Sequence, residues 1–231
     1  MTDPLSTAGH VLIVGGHGKI ALLLAPMLVA RGVTVTSVIR DPVHVTEVEA
    51  AGARAVVADV EAMSVADLAA MMGTVFDHTD VAGPDAVVWS AGAGGGNPAR
   101  TYAVDRDAAI RTMDAADAAD VRRFVMVSYY GSSTDHTIAP EDSFYAYAEA
   151  KAAADEHLRA SGLNWTILGP SRLTLEAPTG LIEVGQGPTT VSRADVAAVV
   201  VATLADPQTT RRTIRFNQGS RPIAEVLVPP S

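Results

Sequence analysis

Cysteine is absent from the 231 residues, so a disulfide scaffold is excluded. Lysine is nearly absent: of 17 cationic residues only Lys19 and Lys151 are lysine, the other 15 being arginine. Aromatic residues make up only 5% of the chain. A basic excess is lacking too, since 26 acidic residues face 17 basic ones and the formal net charge is −9. The isoelectric point is about 5.0. A partner recognised through its phosphate backbone would need a basic surface, so nucleic acid is not expected. There is no long hydrophobic run: Ile20 to Ala30 is about half a membrane span and contains Pro26. Met1-Thr2-Asp3-Pro4 lacks the basic start and apolar stretch of a signal peptide. A cytoplasmic protein without a membrane partner is expected.

Several chemistries are missing with their motifs. The six histidines are scattered, without HxxxH or HExxH spacing, so no metal site is expected. No G-x-S-x-G elbow is present for a hydrolase. The phosphoryl-transfer loop fails as well, because Gly18-Lys19 is followed by Ile20 rather than Ser or Thr.

What is present is alternation. Apolar, β-branched runs fall at Val11–Val14, Val33–Ile39, Ala53–Ala58, Ala86–Trp89, Phe124–Val127, Trp165–Leu168 and Thr213–Phe216. Between them lie alanine-rich helical stretches near Lys19–Arg31, Val43–Ala51, Val65–Met72, Asp105–Ala119, Phe144–Ser161 and Arg193–Ala205. Strands apolar on both faces and separated by helices predict a doubly wound parallel α/β sheet with helices on both faces. At 48% hydrophobic residues and a mean hydropathy of +0.21, the chain is not a disordered one. Its length fits one domain burying roughly 70% of its unfolded surface. Residues from about 170 to 231 are expected to add a small substrate-side portion.

The first strand runs into Gly15-Gly16-His17-Gly18-Lys19-Ile20-Ala21. Gly15-x-x-Gly18-x-x-Ala21, after a strand and opening a helix, has the spacing of a dinucleotide fingerprint. A tight turn without side chains brings backbone to a pyrophosphate, and the helix start supplies N–H groups. A kink is expected at Pro26, whose ring removes the bond to the Leu22 carbonyl. The second strand ends in Arg40, whose fork suits a ribose 2′-phosphate, whereas an NAD site usually carries Asp or Glu there. Asp41 is expected to point away or to cap the next helix, so NADP is expected over NAD. Asp59, followed by Val60, either meets an adenine edge or sits in a solvent-facing turn. Ser90, Ala91 and Gly92 open a glycine-rich loop that runs to Pro98. Tyr129–Ser143 is a polar loop after the fifth strand. Both leave carboxyl ends of strands, where ligands bind in such sheets, unless they are ordinary connections.

Tyr147-Ala148-Glu149-Ala150-Lys151 is a Y-x-x-x-K pair on a helix, one turn apart on one face. A neighbouring ammonium is expected to lower the phenol's pKa toward the range useful for acid–base work. Lys151 could also hold ribose hydroxyls.

The ordered set of glycine turn, Arg40, Ser128 and Tyr147/Lys151 resembles the short-chain dehydrogenase/reductase superfamily. More narrowly, the chain is similar to its atypical NAD(P)H-binding members, the NmrA-like and biliverdin-reductase-B-like group. Val121–Ser128, Ser161–Pro170 and Val191–Ala197 carry that likeness. The resemblance implies a Rossmann fold, an NADP cofactor also touched by Pro170, a small-molecule substrate, and a monomer or homodimer. It implies a reductase in which Tyr147 gives the proton, Lys151 assists it and Ser128 orients the substrate oxygen. Two relatives in kind remain open: an NADP-binding redox sensor without turnover, and a sugar epimerase or dehydratase. The family's usual second serine is Tyr129 here, so Ser128, Tyr129 or Ser132 could supply the orienting hydroxyl. Its Leu-Arg-Pro is Leu168-Gly169-Pro170, which leaves an arginine missing although Arg172 is close by.

Overall fold

A computed structural model describes residues 9–74, 83–94 and 96–227. Met1–Pro4 and, within the glycine-rich loop, Gly95 lie outside the described residues. The first half alternates β1 (His10–Val14), α1 (Ala21–Val29), β2 (Thr34–Ile39), α2 (Val45–Ala50), β3 (Arg54–Val57), α3 (Val65–Thr74) and β4 (Ala86–Trp89). Then come α4 (Pro98–Thr101), a π-helical stretch (Tyr102–Ala108), α5 (Ala109–Ala118), β5 (Arg123–Val127), α6 (Tyr145–Ala160) and β6 (Asn164–Pro170). The remainder forms β7 (Arg172–Thr174), β8 (Leu181–Val184), β9 (Thr190–Ser192), α7 (Arg193–Ala205), β10 (Arg212–Gln218), β11 (Arg221–Pro222) and α8 (Ile223–Val226).

Nine strands form one sheet in the order β11-β8-β10-β6-β5-β4-β1-β2-β3. From β10 to β3 every pairing is parallel; β8 and β11 add an antiparallel edge. The strand order reverses between β1 and β4, so a crevice opens there beyond their carboxyl ends. Side-chain alternation explains why both faces are covered. Val11 and Ile13 of β1 join one apolar layer with α1 and α7, while Leu12 and Val14 join the other with α3 and α5. The doubly wound fold expected from the sequence is therefore the observed one.

Three features depart from the expected elements. The helix expected to start at Asp105 begins at Pro98, where the Asn97 side chain accepts from the Arg100 amide at 3.1 Å. It passes through a π stretch that turns Asp105 into the protein. The short strands β7, β8, β9 and β11 were not expected. β7 and β9 pair with each other and β11 pairs with β8, while two buried polar residues hold the turns beside β8 and β9. Asp195 and Ser192 cap α7 reciprocally, and the Asp195 carboxylate also accepts from the Thr179 and Gly180 amides. Asn217 binds the carbonyls of Gly185 and Gly187 and accepts from the Thr189 amide. Helix α1 runs through Pro26 from Ala21 to Val29.

One buried group makes stability depend on pH. His10 is 3% exposed, its Nε2 2.9 Å from Thr36 Oγ1. Burial lowers its pKa to about 4 despite the opposing Asp85 carboxylate. The unfolded chain then binds a proton that the native state refuses between about pH 6.5 and about pH 4, so stability falls as pH falls through that window. The upper bound is about 3 kcal/mol. Urea midpoints of the wild type should drop more steeply from about pH 7 to about pH 4.5 than those of His10→Gln. Equal slopes would remove His10 as the cause.

Candidate functional site

Two cavities lie along the carboxyl edge of the sheet. The first, about 370 Å³, opens at the strand-order reversal. Its wall is built by lack of side chains. Gly15 has φ +85°, and a Cβ there would stand 2.5 Å from the Ala91 Cα. A Cβ on Gly16 would stand 2.4 Å from the Ser37 Cβ. The turn therefore packs backbone directly on β2 and on the start of the loop after β4. Amides of Gly15 and Gly16 bond the Val38 carbonyl, and that of Gly18 bonds the Gly15 carbonyl. Ala21, the third small position of the fingerprint, is fully buried.

Of the residues expected to hold a cofactor, Gly15, His17 and Gly18 line this cavity, as do Arg40, Asp59 and Val60. Ser90, Ala91 and Gly92 form its opposite wall. Gly16 is buried under the turn, Ile20 packs in the core, and Lys19 is exposed at the surface. Pro170 lines the second cavity instead. Asp41 accepts from the Val43 amide at 3.0 Å and caps the next turn, as expected. Asp59 likewise accepts from the Glu61 amide at 3.1 Å, so its carboxylate holds a turn while the residue lines the cavity.

Sequence reasoning missed Arg100 and Glu61. Glu61 Oε2 stands 3.9 Å from Arg40 Nη1 and 3.7 Å from Arg100 Nε, and all three residues line the cavity. Arg100 is anchored by the Ala93 carbonyl at 2.9 Å, and Arg111 fixes the Glu61 turn through the carbonyls of Val60, Glu61 and Met63. Two guanidiniums thus flank one carboxylate at this end of the cavity, whose wall also carries Asp41 and Asp59. The histidines are less scattered than their spacing implied. His17 and His44 stack at 3.4 Å with an interplanar angle of 7°, and His17 Nε2 meets Glu47 Oε2 at 2.7 Å. The three could share an ion geometrically, although His17 already has a partner in Glu47.

The second cavity, about 470 Å³, lies beyond β5 and β6. The chain has two tryptophans, five tyrosines and four phenylalanines, and four of these eleven, Tyr129, Tyr130, Phe144 and Tyr147, line it. Tyr129, Phe144 and Tyr147 form a triangle with ring centroids 5.1–5.4 Å apart. Ser128, Pro170 and Arg172 complete the part that matters for chemistry. The arginine missing at position 169 is supplied from the neighbouring strand. Arg215 pairs in register with Gly169, and its guanidinium binds the carbonyls of Tyr130 and Ser132. A Cβ on Gly169 would come within 3.1 Å of the Arg215 Cγ, so glycine makes room for it.

Lys151 is 2% exposed and donates to the Val127 carbonyl at 3.1 Å. It stands 3.8 Å from Asp105 Oδ1, while Asp105 Oδ2 accepts from the Ala93 amide at 2.9 Å. This buried pair ties the wall of the first cavity to the end of β5. Asp105 Oδ1 has no hydrogen-bond partner in the protein. The expected effect on Tyr147 is reversed. Its pKa is raised, first by burial and then by Asp105, Tyr129 and Asp155, because the ammonium points at Val127 and carboxylates surround the phenol. Tyr129 is raised as well, by burial and Asp155. Ser128 and Ser132 both donate to Asp155 Oδ2, at 2.6 and 2.5 Å. Asp155 escaped sequence reasoning, though its position four residues past Lys151 was a usable signal.

Comparison with known proteins places this arrangement. A family model described as NAD(P)H-binding matches residues 15–207. YhfK of Bacillus subtilis, named as an uncharacterized sugar epimerase, is 32% identical over 94% of this chain and 98% of its own. A solved structure from Bacillus halodurans, described as a candidate NAD-dependent epimerase/dehydratase, superposes with a TM-score of 0.83 at 30% identity, covering 95% and 99% of the two chains. The oxidoreductase ylbE from Lactococcus lactis gives 0.80 at 26% identity, covering 94% of each. No helix among the described residues is long and apolar enough to cross a membrane. With the glycine turn at the strand-order reversal and this match over most of its length, the chain belongs to the NAD(P)H-binding family, with the Rossmann-like fold of the atypical short-chain dehydrogenase/reductases.

Proposed function

We propose that the protein is an NADPH-dependent reductase of small, planar carbonyl, quinone or flavin-like acceptors. The observation that carries this reading is the place of Tyr147, in the wall of an aromatic cavity beside the dinucleotide cleft, where burial raises the pKa of its phenol. Reduction needs a proton donor, and a phenol with a raised pKa is in the donating form across the physiological range. Epimerisation by oxidation of an alcohol would need the phenolate as base, which burial and three acidic neighbours oppose. The apolar, ring-lined cavity also suits a flat acceptor better than a sugar. The names carried by the Bacillus relatives therefore favour the epimerase less than these residues favour the reductase.

The residues present fit a dinucleotide. The Gly15–Gly16 turn leaves no room for a Cβ, and the Arg40 and Arg100 guanidiniums in the cavity wall would suit a 2′-phosphate. A bound nicotinamide would supply the hydride. Around it the chain's own residues orient the acceptor between rings, exclude water, and give a proton from the Tyr147 hydroxyl.

The test is oxidation of NADPH across a panel of quinones, flavins and aldehydes. Turnover with any of them supports a reductase; tight NADPH binding with no turnover supports a redox sensor instead. Arg40→Ala should weaken NADPH about tenfold, a half-exposed charge-assisted contact, and leave NADH within about twofold. Arg100→Ala should act in the same direction by less. Equal wild-type affinities for the two cofactors would remove the 2′-phosphate role from both arginines.

A further inference from the structure

Helix α6 carries a third polar residue beyond the tyrosine–lysine pair. Tyr147, Lys151 and Asp155 stand at i, i+4 and i+8, along one face. Asp155 is fully buried. Its Oδ2 accepts from two serine hydroxyls, Ser128 at 2.6 Å and Ser132 at 2.5 Å. Its Oδ1 is buried with no hydrogen-bond partner. A bare carboxylate oxygen in a dry setting opposes ionisation. Burial accordingly raises the Asp155 pKa, against the pull of both serines, Lys151 and Arg159. The other ionisable groups facing this network are Tyr129 on the loop after β5, Tyr147 on α6 and Asp105 on the π stretch.

We infer that Asp155 is a positioning residue whose protonation state sets whether Ser128 offers a lone pair or a hydrogen to a ligand in the aromatic cavity. With Asp155 ionised, both serine hydrogens are held by Oδ2, and Ser128 can only accept. A carbonyl ligand brings no hydrogen and finds lone pairs opposed to its own. With a proton on Oδ2, the carboxyl donates to one serine, which then turns its own hydrogen away. Ser128 is the serine that lines the cavity, and when it is the one that accepts from Oδ2 its own hydrogen is freed for a carbonyl oxygen there. Carbonyl acceptors should bind better with Asp155 protonated. The inference rests on the reductase reading for its ligand class, but not for the titration itself.

Two measurements on the full chain separate these. Infrared difference spectra of the protein without ligand, titrated upward from acid pH, should show a protonated-carboxyl stretch that persists above the ordinary carboxylate range before it fades and is missing in Asp155→Asn. No Asp155-dependent band overturns the inference whatever the protein reduces. With NADPH saturating, the KM for menadione should rise about three- to tenfold as the band fades, the loss of one neutral hydrogen bond. In Asp155→Asn it should stay flat. A pH dependence of KM that survives in Asp155→Asn also overturns the inference. Should Asp155→Asn fail to fold, Ser132→Ala removes one donor to the carboxylate and should move the band loss and the KM rise together to higher pH; an unmoved KM counts against it. If menadione is not reduced but another acceptor of the panel is, the KM of that acceptor is followed; if none is reduced, the reductase reading falls, and quenching of protein fluorescence by menadione replaces KM in the same comparison.

Discussion

Tyr147→Phe should lower NADPH oxidation by about 10²- to 10⁴-fold while leaving the NADPH Kd within about twofold. The substitution removes one hydroxyl and keeps the ring. Phenylalanine can still complete the triangle with Tyr129 and Phe144, whose centroids lie 5.4 and 5.1 Å away. Stability should therefore change little, and a lost rate can be read as lost chemistry. Tyr147 lines the second cavity and not the first, so cofactor affinity has no reason to move. The raised pKa adds a sign. A phenol that keeps its proton gives no loss of rate on the alkaline side through the physiological range, whereas a phenol lowered by Lys151 would lose its proton there. Single-turnover oxidation of NADPH with a saturating quinone, followed against pH, checks both statements. Survival of turnover in Tyr147→Phe would make the ring a packing element and solvent the proton source.

The sequence carried the cofactor cleft well because its wall is made of backbone. Where glycine is needed by close approach, as at Gly15 and Gly16, the residue type itself records the geometry. The aromatics held a signal that went unread: five of the eleven fall between positions 129 and 147, and four of those line the second cavity. Lysine scarcity was a weaker guide. Of the two, Lys151 is buried at the centre of the site, but Lys19 is exposed outside the cleft wall.

What stayed illegible depends on contacts between distant segments. Nothing local says that Arg100, from the helix after β4, shares Glu61 with Arg40. The π stretch that buries Asp105 beside Lys151 has no composition of its own. Spacing correctly put Tyr147 and Lys151 on one face, but it could not tell that the ammonium is turned to the Val127 carbonyl. Burial of the phenol first, and Asp105 next, set the pKa direction instead. The edge strands β8 and β11 and the separate pair β7 and β9 are two to four residues long, and Asp195 and Asn217 hold the turns beside them, so no apolar period announces them.

Gly15 and Gly16 should both reject alanine, but for reasons that a second substitution can tell apart. At Gly15 the new Cβ meets backbone, the Cα and N of Ala91 at 2.5 and 2.6 Å, and φ is +85°. Neither obstacle is a side chain, so Ala91→Gly cannot relieve it. At Gly16 the first obstacle is the Ser37 Cβ at 2.4 Å, followed by its Oγ at 2.9 Å. Ser37 is buried and its hydroxyl has no partner, so removing it leaves no polar group unsatisfied. Each alanine alone should cost about 2–3 kcal/mol by overpacking, with the positive φ adding about 1 kcal/mol more at Gly15. Gly16→Ala combined with Ser37→Gly should recover most of that loss, less about 1 kcal/mol for glycine inside β2. Gly15→Ala combined with Ala91→Gly should recover nothing. Because Gly15 faces the first cavity and Gly16 lies beneath it, NADPH affinity should return with stability in the Gly16 pair and stay lost in the Gly15 pair. Urea unfolding and NADPH titration of the four single variants and two double variants decide it. Rescue at Gly15, or its absence at Gly16, would show that the turn does not rest on Ala91 and Ser37 as described.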